Sequence, residues 1–169
     1  EKFIRRSADK PFFLMLSHYA VHAPLQGKAD KVKRYQQVAK DQQQGPPAYA
    51  AMVESVDDSV GRVMRTLQEL KIDQQTLVIF TSDNGGFARA TSNSPLRANK
   101  GSNYEGGLRV PLIINWPGKT RPGSVSNEPV ISTDFYPTIL AATGQSARPH
   151  QHVDGKNLVP LLIDKGSFQ

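Results

Sequence analysis

The sequence predicts an α/β fold. Three observations carry that reading. Short runs are apolar at every position, without the polar alternation of a half-exposed strand. One long helical stripe lies between two of them. The order along the chain is strand, helix, strand, strand, helix, the pattern of a layered sheet.

The elements follow in order. Glu1 to Lys10 is polar, with no basic segment running into an apolar one as in a secretory leader. Pro11-Phe12-Phe13-Leu14-Met15-Leu16 is a continuous apolar run and predicts a first strand buried on both faces. It leads into Ser17-His18-Tyr19-Ala20-Val21-His22-Ala23-Pro24. From about residue 47 to 71, Tyr49, Met52, Val53, Val56, Val60, Val63, Leu67 and Leu70 recur at steps of three and four, the stripe of one amphipathic helix. Pro46 and Pro47 suit its first turn. Thr76 to Thr81 predicts a second strand, ended by Ser82-Asp83-Asn84-Gly85-Gly86, and Val110 to Trp116 a third, stopped by Pro117-Gly118. A second helix is expected from about Asp134 to Thr143, with Gly144 as its stop. Beyond Arg148 the chain reads as loop, with a short turn around Leu158 to Leu162.

Composition narrows the function classes. The chain has 169 residues, a length of the order of one domain, and is 38% hydrophobic, too apolar for a disordered chain. No stretch approaches the roughly 20 apolar residues of a membrane span. It contains no cysteine, so these residues hold no disulfide, thiolate metal site or cysteine nucleophile. The net charge of +6 admits nucleic acid, a membrane surface or an anionic small substrate. Part of it comes from Lys28, Lys31, Lys33, Arg34 and Lys40, read as a solvated face. No zinc-finger or RNA-recognition signature accompanies them, and no nucleic-acid partner is expected.

In open α/β sheets ligands bind beyond the carboxyl ends of strands, which directs attention to the residues after the first two. Asp83-Asn84-Gly85-Gly86 places a carboxylate beside an amide oxygen, two hard ligands for a cation, and is equally compatible with a turn that caps itself. His18 and His22 flank the end of the first predicted strand; an imidazole can donate to an anionic oxygen, or serve as a structural hydrogen-bonding group. The connection from Gly85 to Arg109 runs about 25 residues with little periodicity and contains Arg97, Lys100, Tyr104, Glu105 and Arg109. A lysine there can neutralise an oxyanion. Metal ligands, an imidazole and a lysine at one sheet edge are what hydrolysis of an anionic ester needs. The residues themselves do not separate sulfate from phosphate.

The segments Phe12-Phe13-Leu14 through His22-Ala23-Pro24-Leu25-Gln26, Val78 through Gly86, and Asn99-Lys100-Gly101-Ser102-Asn103-Tyr104-Glu105-Gly106-Gly107-Leu108-Arg109-Val110-Pro111 resemble the type I (arylsulfatase-like) sulfatases. Asp134-Phe135-Tyr136-Pro137-Thr138-Ile139-Leu140 and Asp154-Gly155-Lys156-Asn157-Leu158 continue the pattern. The resemblance covers nearly the whole chain. It implies a three-layer α/β/α alkaline-phosphatase-like sandwich and hydrolysis of a sulfate ester. Asp83 and Asn84 match calcium ligands, while Lys100 and His22 match residues that contact the sulfate group. His18 is expected behind the site, and Glu105 and Arg109 are expected to order the loop.

The family's nucleophile, a formylglycine, comes from an early motif that these residues do not match. An early acidic pair completes its calcium site. The expectation is therefore that residues 1–169 form a partial catalytic domain, inactive alone, with half a calcium site and an uncovered apolar edge that promotes self-association. Family habit implies a periplasmic or secreted parent. Two other readings stay open: a phosphatase or phosphodiesterase of the same fold, and a non-catalytic fragment that binds sulfated glycans through its basic region.

Overall fold

A computed structural model of the chain describes residues 1–148, 150–151 and 154–163. The chain divides into two compact units, Glu1–Ile114 and Asn115–Gln169.

The first unit is built on a long helix. Helix α1 (Lys2–Ser7), α2 (Ala29–Tyr35) and α3 (Pro47–Glu69) precede strand β1 (Val78–Thr81). The predicted stripe does form α3, and Pro47 sits in its first turn, where a missing N–H costs nothing. Ala51, Met52, Thr66 and Leu67 are its buried positions. The polar start of the chain is helical, because Ile4 is buried, only 1% exposed, and α1 packs on α3. Arg62 closes the contact with an ion pair to Glu1 at 2.8 Å.

The basic cluster is not a uniformly wet face. Lys31 is buried and pairs with Glu54 and Asp58, both at 2.6 Å, while Arg34 pairs with Glu54. These acids lie on α3, so the positive edge of α2 is matched to the negative edge of its neighbour. Hydrogen bonds from Arg34 first, then Lys31, pull the Glu54 carboxyl down to about 2.

Strand β1 pairs with β2 (Leu112–Asn115), and the short helix α4 (Glu105–Leu108) precedes β2. Both strands are shorter than the apolar runs that predict them. The predicted first strand is corrected. Residues 11–16 carry no ladder among the described residues, and a strand is defined by its ladder rather than by its apolarity. Phe12 packs edge-on against Phe3, with centroids 5.8 Å apart. Phe13, Leu14, Met15 and Leu16 are exposed, Met15 to 77%. The sequence leads one to expect an uncovered apolar strand edge; the exposed apolar residues found here lie instead on a segment without a ladder among the described residues.

The second unit carries α5 (Phe135–Ala142), entered through a 3-10 turn at Ser132–Asp134, and α6 (Val159–Ile163). Gly144 ends the α5 region at φ +69°, the left-handed conformation that glycine adopts without strain. The buried Asp134 carboxylate accepts from the backbone N–H of Ile131 at 2.8 Å and of Lys156 at 2.6 Å. Thr138, fully buried, donates to the Asp134 carbonyl and accepts from the Leu158 N–H at 2.8 Å. Two polar side chains thus tie the tail to the start of α5. No helix among the described residues is long and apolar enough to cross a membrane.

Candidate functional site

β1 ends at Thr81, and the chain turns through Ser82, Asp83 and Asn84 beyond its carboxyl end. Asp83 is exposed and Asn84 half-buried. The Asn84 amide donates to the Asp83 carboxylate, and Ser82 Oγ donates to the Asn84 carbonyl at 3.1 Å. The turn therefore caps itself, with an exposed carboxylate at Asp83 and a half-buried amide at Asn84 beside it. These oxygens fit a hard cation such as calcium, which takes about six to eight of them. Two residues form only part of such a shell. Among the described residues no three His, Asp or Glu side chains gather to hold a metal ion.

The long connection after the turn is tightly organised. The Gly85 N–H donates to the Gly107 carbonyl at 3.0 Å, the Lys100 N–H to the Gly86 carbonyl at 3.1 Å, and the Gly106 N–H to the Arg97 carbonyl at 2.8 Å. A Cβ on Gly85 would lie 1.8 Å from the Gly106 carbonyl oxygen, so this backbone approach requires glycine. Lys100 is anchored by its backbone beside the Asp83-Asn84 turn, and its residue is exposed. Arg97 stacks its guanidinium over the Tyr104 ring at 3.8 Å from the centroid, a cation–π contact that braces the same loop. Glu105 and Arg109 pair at 3.5 Å across one turn of α4, and both are mostly exposed. Such a pair is worth little. The backbone bonds, rather than this pair, order the loop.

The two histidines differ. His18 Nε2 lies 2.9 Å from Ser59 Oγ on α3. His22 Nδ1 lies 2.8 Å from the Ala23 carbonyl oxygen, and its ring sits against Tyr19 with centroids 5.4 Å apart. Tyr19 donates its hydroxyl to the same carbonyl at 2.9 Å. His22 is exposed. The structure thus joins Asp83, Asn84 and Lys100 in one hydrogen-bonded loop. The hydrogen bonds of His18 and His22 run to Ser59 and Ala23 instead.

Sequence reading passes over Asn93. Its side chain accepts from the Gly86 N–H at 3.0 Å and donates to the Gly86 carbonyl at 2.9 Å and to Asn99 Oδ1 at 2.7 Å. It sits among Ser and Asn residues with no periodicity, so nothing local marks it. The one available signal is its place in a long loop between two candidate ligands.

Comparison with known proteins adds the family. Residues 1–145 match the family model described as Sulfatase. A protein named Sulfatase from Formosa agariphila is 40% identical over 98% of this chain and 32% of its own length. The human steryl-sulfatase is 35% identical over 97% of this chain and 28% of its own. The chain thus spans about a third of the length of these curated relatives. Among solved structures, Ps i-CgsB in complex with k-i-k-neocarrahexaose is 36% identical, with a TM-score of 0.88 over 98% of this chain and 37% of that one.

Proposed function

This chain belongs to the sulfatase family, and from that premise we propose that the full-length protein hydrolyses a sulfate ester, with residues 1–169 supplying the cation-binding and sulfate-holding part of its site. The observation that carries the reading is the bond from the Lys100 N–H to the Gly86 carbonyl, which seats a lysine beside the Asp83-Asn84 turn.

Asp83 and Asn84 would hold calcium through their side-chain oxygens. When bound, the ion offsets charge on the ester and polarises it. Lys100 orients a sulfate oxygen and stabilises the negative charge that grows as the ester bond breaks. His22 donates to a second sulfate oxygen. His18, held to Ser59, supports the segment that carries His22. The chain contains no cysteine, and no residue in it is assigned as the nucleophile, which is expected to be a formylglycine of the full-length protein.

A sulfated-glycan-binding role through the basic region finds less support, because Lys31 and Arg34 spend their charge on Glu54 and Asp58.

The test uses a chromogenic aryl sulfate and the matching aryl phosphate with Ca²⁺. Full-length protein is expected to cleave the sulfate, and the 169-residue chain is expected to give no turnover above its Lys100→Ala variant. Cleavage of the phosphate alone by the full-length protein would overturn the sulfatase reading. Turnover by the short chain would overturn its assignment as a partial site.

A further inference from the structure

We infer that Asn93 is a positioning residue that clamps the Asp83-Asn84 turn to the Lys100 loop, so that the cation ligands and the lysine move as one body. The inference rests on the roles proposed above for Asp83, Asn84 and Lys100.

A carboxamide has one acceptor oxygen and two N–H donors, and Asn93 uses all three. Its oxygen takes the Gly86 N–H and its amide donates to the Gly86 carbonyl, so one side chain grips both polar groups of one backbone residue. The remaining donor reaches Asn99 Oδ1, on the residue just before Lys100. The Gly86 carbonyl also receives the Lys100 N–H, so a single oxygen is shared by Asn93 and the lysine backbone. Asn93 itself is half-buried, which strengthens these bonds relative to water.

The arrangement answers a specific problem. A lysine is a point charge on a flexible stem, so the place of its charge depends on how well its backbone is anchored. A misplacement of about 1 Å can cost about a hundredfold in rate. No other side chain of similar size supplies one acceptor and two donors in a plane. Aspartate keeps the acceptor, loses both donors, and sets a negative charge against the Gly86 carbonyl.

Two measurements test the clamp. In the 169-residue chain, amide hydrogen exchange is compared for wild type, Asn93→Ala and Asn93→Asp. Asn93→Ala is expected to speed exchange of the Gly86 and Lys100 N–H by about tenfold or more, while the Leu67 N–H in α3 keeps its rate and reports that the unit is folded. Asn93→Asp retains an acceptor for the Gly86 N–H, so Gly86 stays protected and Lys100 does not. If Asn93→Ala does not fold, the Asn93→Asp pattern decides. In the full-length protein, Asn93→Ala is expected to lower kcat on an aryl sulfate about a hundredfold while KM changes by less than about threefold. Unchanged exchange at Lys100, or unchanged kcat per folded molecule, overturns the inference. A full-length wild type that cleaves no sulfate ester overturns the functional reading instead, and the exchange data still decide the clamp.

Discussion

His22 Nδ1 lies 2.8 Å from the carbonyl oxygen of Ala23. A carbonyl only accepts, so Nδ1 carries the proton and donates. In the neutral ring Nε2 is then a lone pair, which repels a sulfate oxygen. Only the imidazolium donates from both nitrogens. Its proposed contact with sulfate therefore requires the protonated ring. In the full-length protein, His22→Ala is expected to lower kcat/KM by about ten- to a hundredfold, the effect of a charge-assisted hydrogen bond. His22→Gln keeps a neutral donor and is expected to recover part of that loss, measured as kcat/KM on an aryl sulfate. An unchanged kcat/KM in His22→Ala would remove His22 from the sulfate.

The Asp83-Asn84 turn supplies a carboxylate and an amide oxygen, well short of the roughly six to eight oxygens of a calcium shell. Titration calorimetry of the 169-residue chain is expected to give calcium affinity weaker than about micromolar. Asp83→Ala should remove what binding there is. In the full-length protein the same substitution should raise the calcium concentration needed for half-maximal activity, and Lys100→Ala should lower kcat by about 10²–10³ without that shift. Tight binding by the short chain would mean that it holds ligands beyond these two.

Glu54 links pH to stability. Its carboxyl is pulled down to about 2 by hydrogen bonds from Arg34 and Lys31, against about 4.3 in an unfolded chain. A depressed folded-state value means that the stabilisation is fully present above the unfolded value and is lost as pH falls toward about 2. Thermal melts of wild type and Glu54→Gln should differ at pH 7 and converge at the acid end of that window. A difference that persists below it would assign the effect to packing rather than to charge.

These elements also mark where sequence reading succeeds and stops. Helix α3 is legible because its stripe repeats over six turns, and β1 because an apolar run ends at a Gly-permitted turn. The run at 11–16 is equally apolar but has no ladder among the described residues, and pairing partners are not written in a local pattern. Lys31 reads as surface for a related reason: its partners Glu54 and Asp58 lie more than twenty residues away on another helix. Asp83, Asn84 and Lys100 are visible through motif and position. Asn93 is not, since its role exists only once the loop has closed on Gly86.

Gly85 tests that closure. A Cβ there would meet the Gly106 carbonyl oxygen at 1.8 Å and the Gly107 Cα at 3.0 Å. Both are backbone, so no side chain can swing aside. Gly85→Ala should destabilise the chain by at least about 1–3 kcal/mol, measured by urea unfolding. Gly61→Ala, which meets only the Arg65 guanidinium at 3.4 Å, should be neutral or stabilising inside α3. Equal effects at the two positions would show that the loop adapts.

The exposed run at 13–16 carries the last prediction. Phe13 is 68% and Met15 77% exposed, with Leu14 and Leu16 beside them and, among the described residues, no ladder to occupy their backbone. Contiguous apolar surface of this kind is uncommon on a monomer and favours contact with another chain. The 169-residue chain is expected to self-associate, with its mass by light scattering rising with concentration. Phe13→Ser combined with Met15→Lys should return it toward the monomer, because a charge on the pairing face opposes the approach of a second copy. The same pair of substitutions should leave the Glu54-dependent melting difference intact, since that network lies between α2 and α3. A strictly monomeric wild type at high concentration, or association unaffected by the double substitution, would place the self-association surface elsewhere or dismiss it.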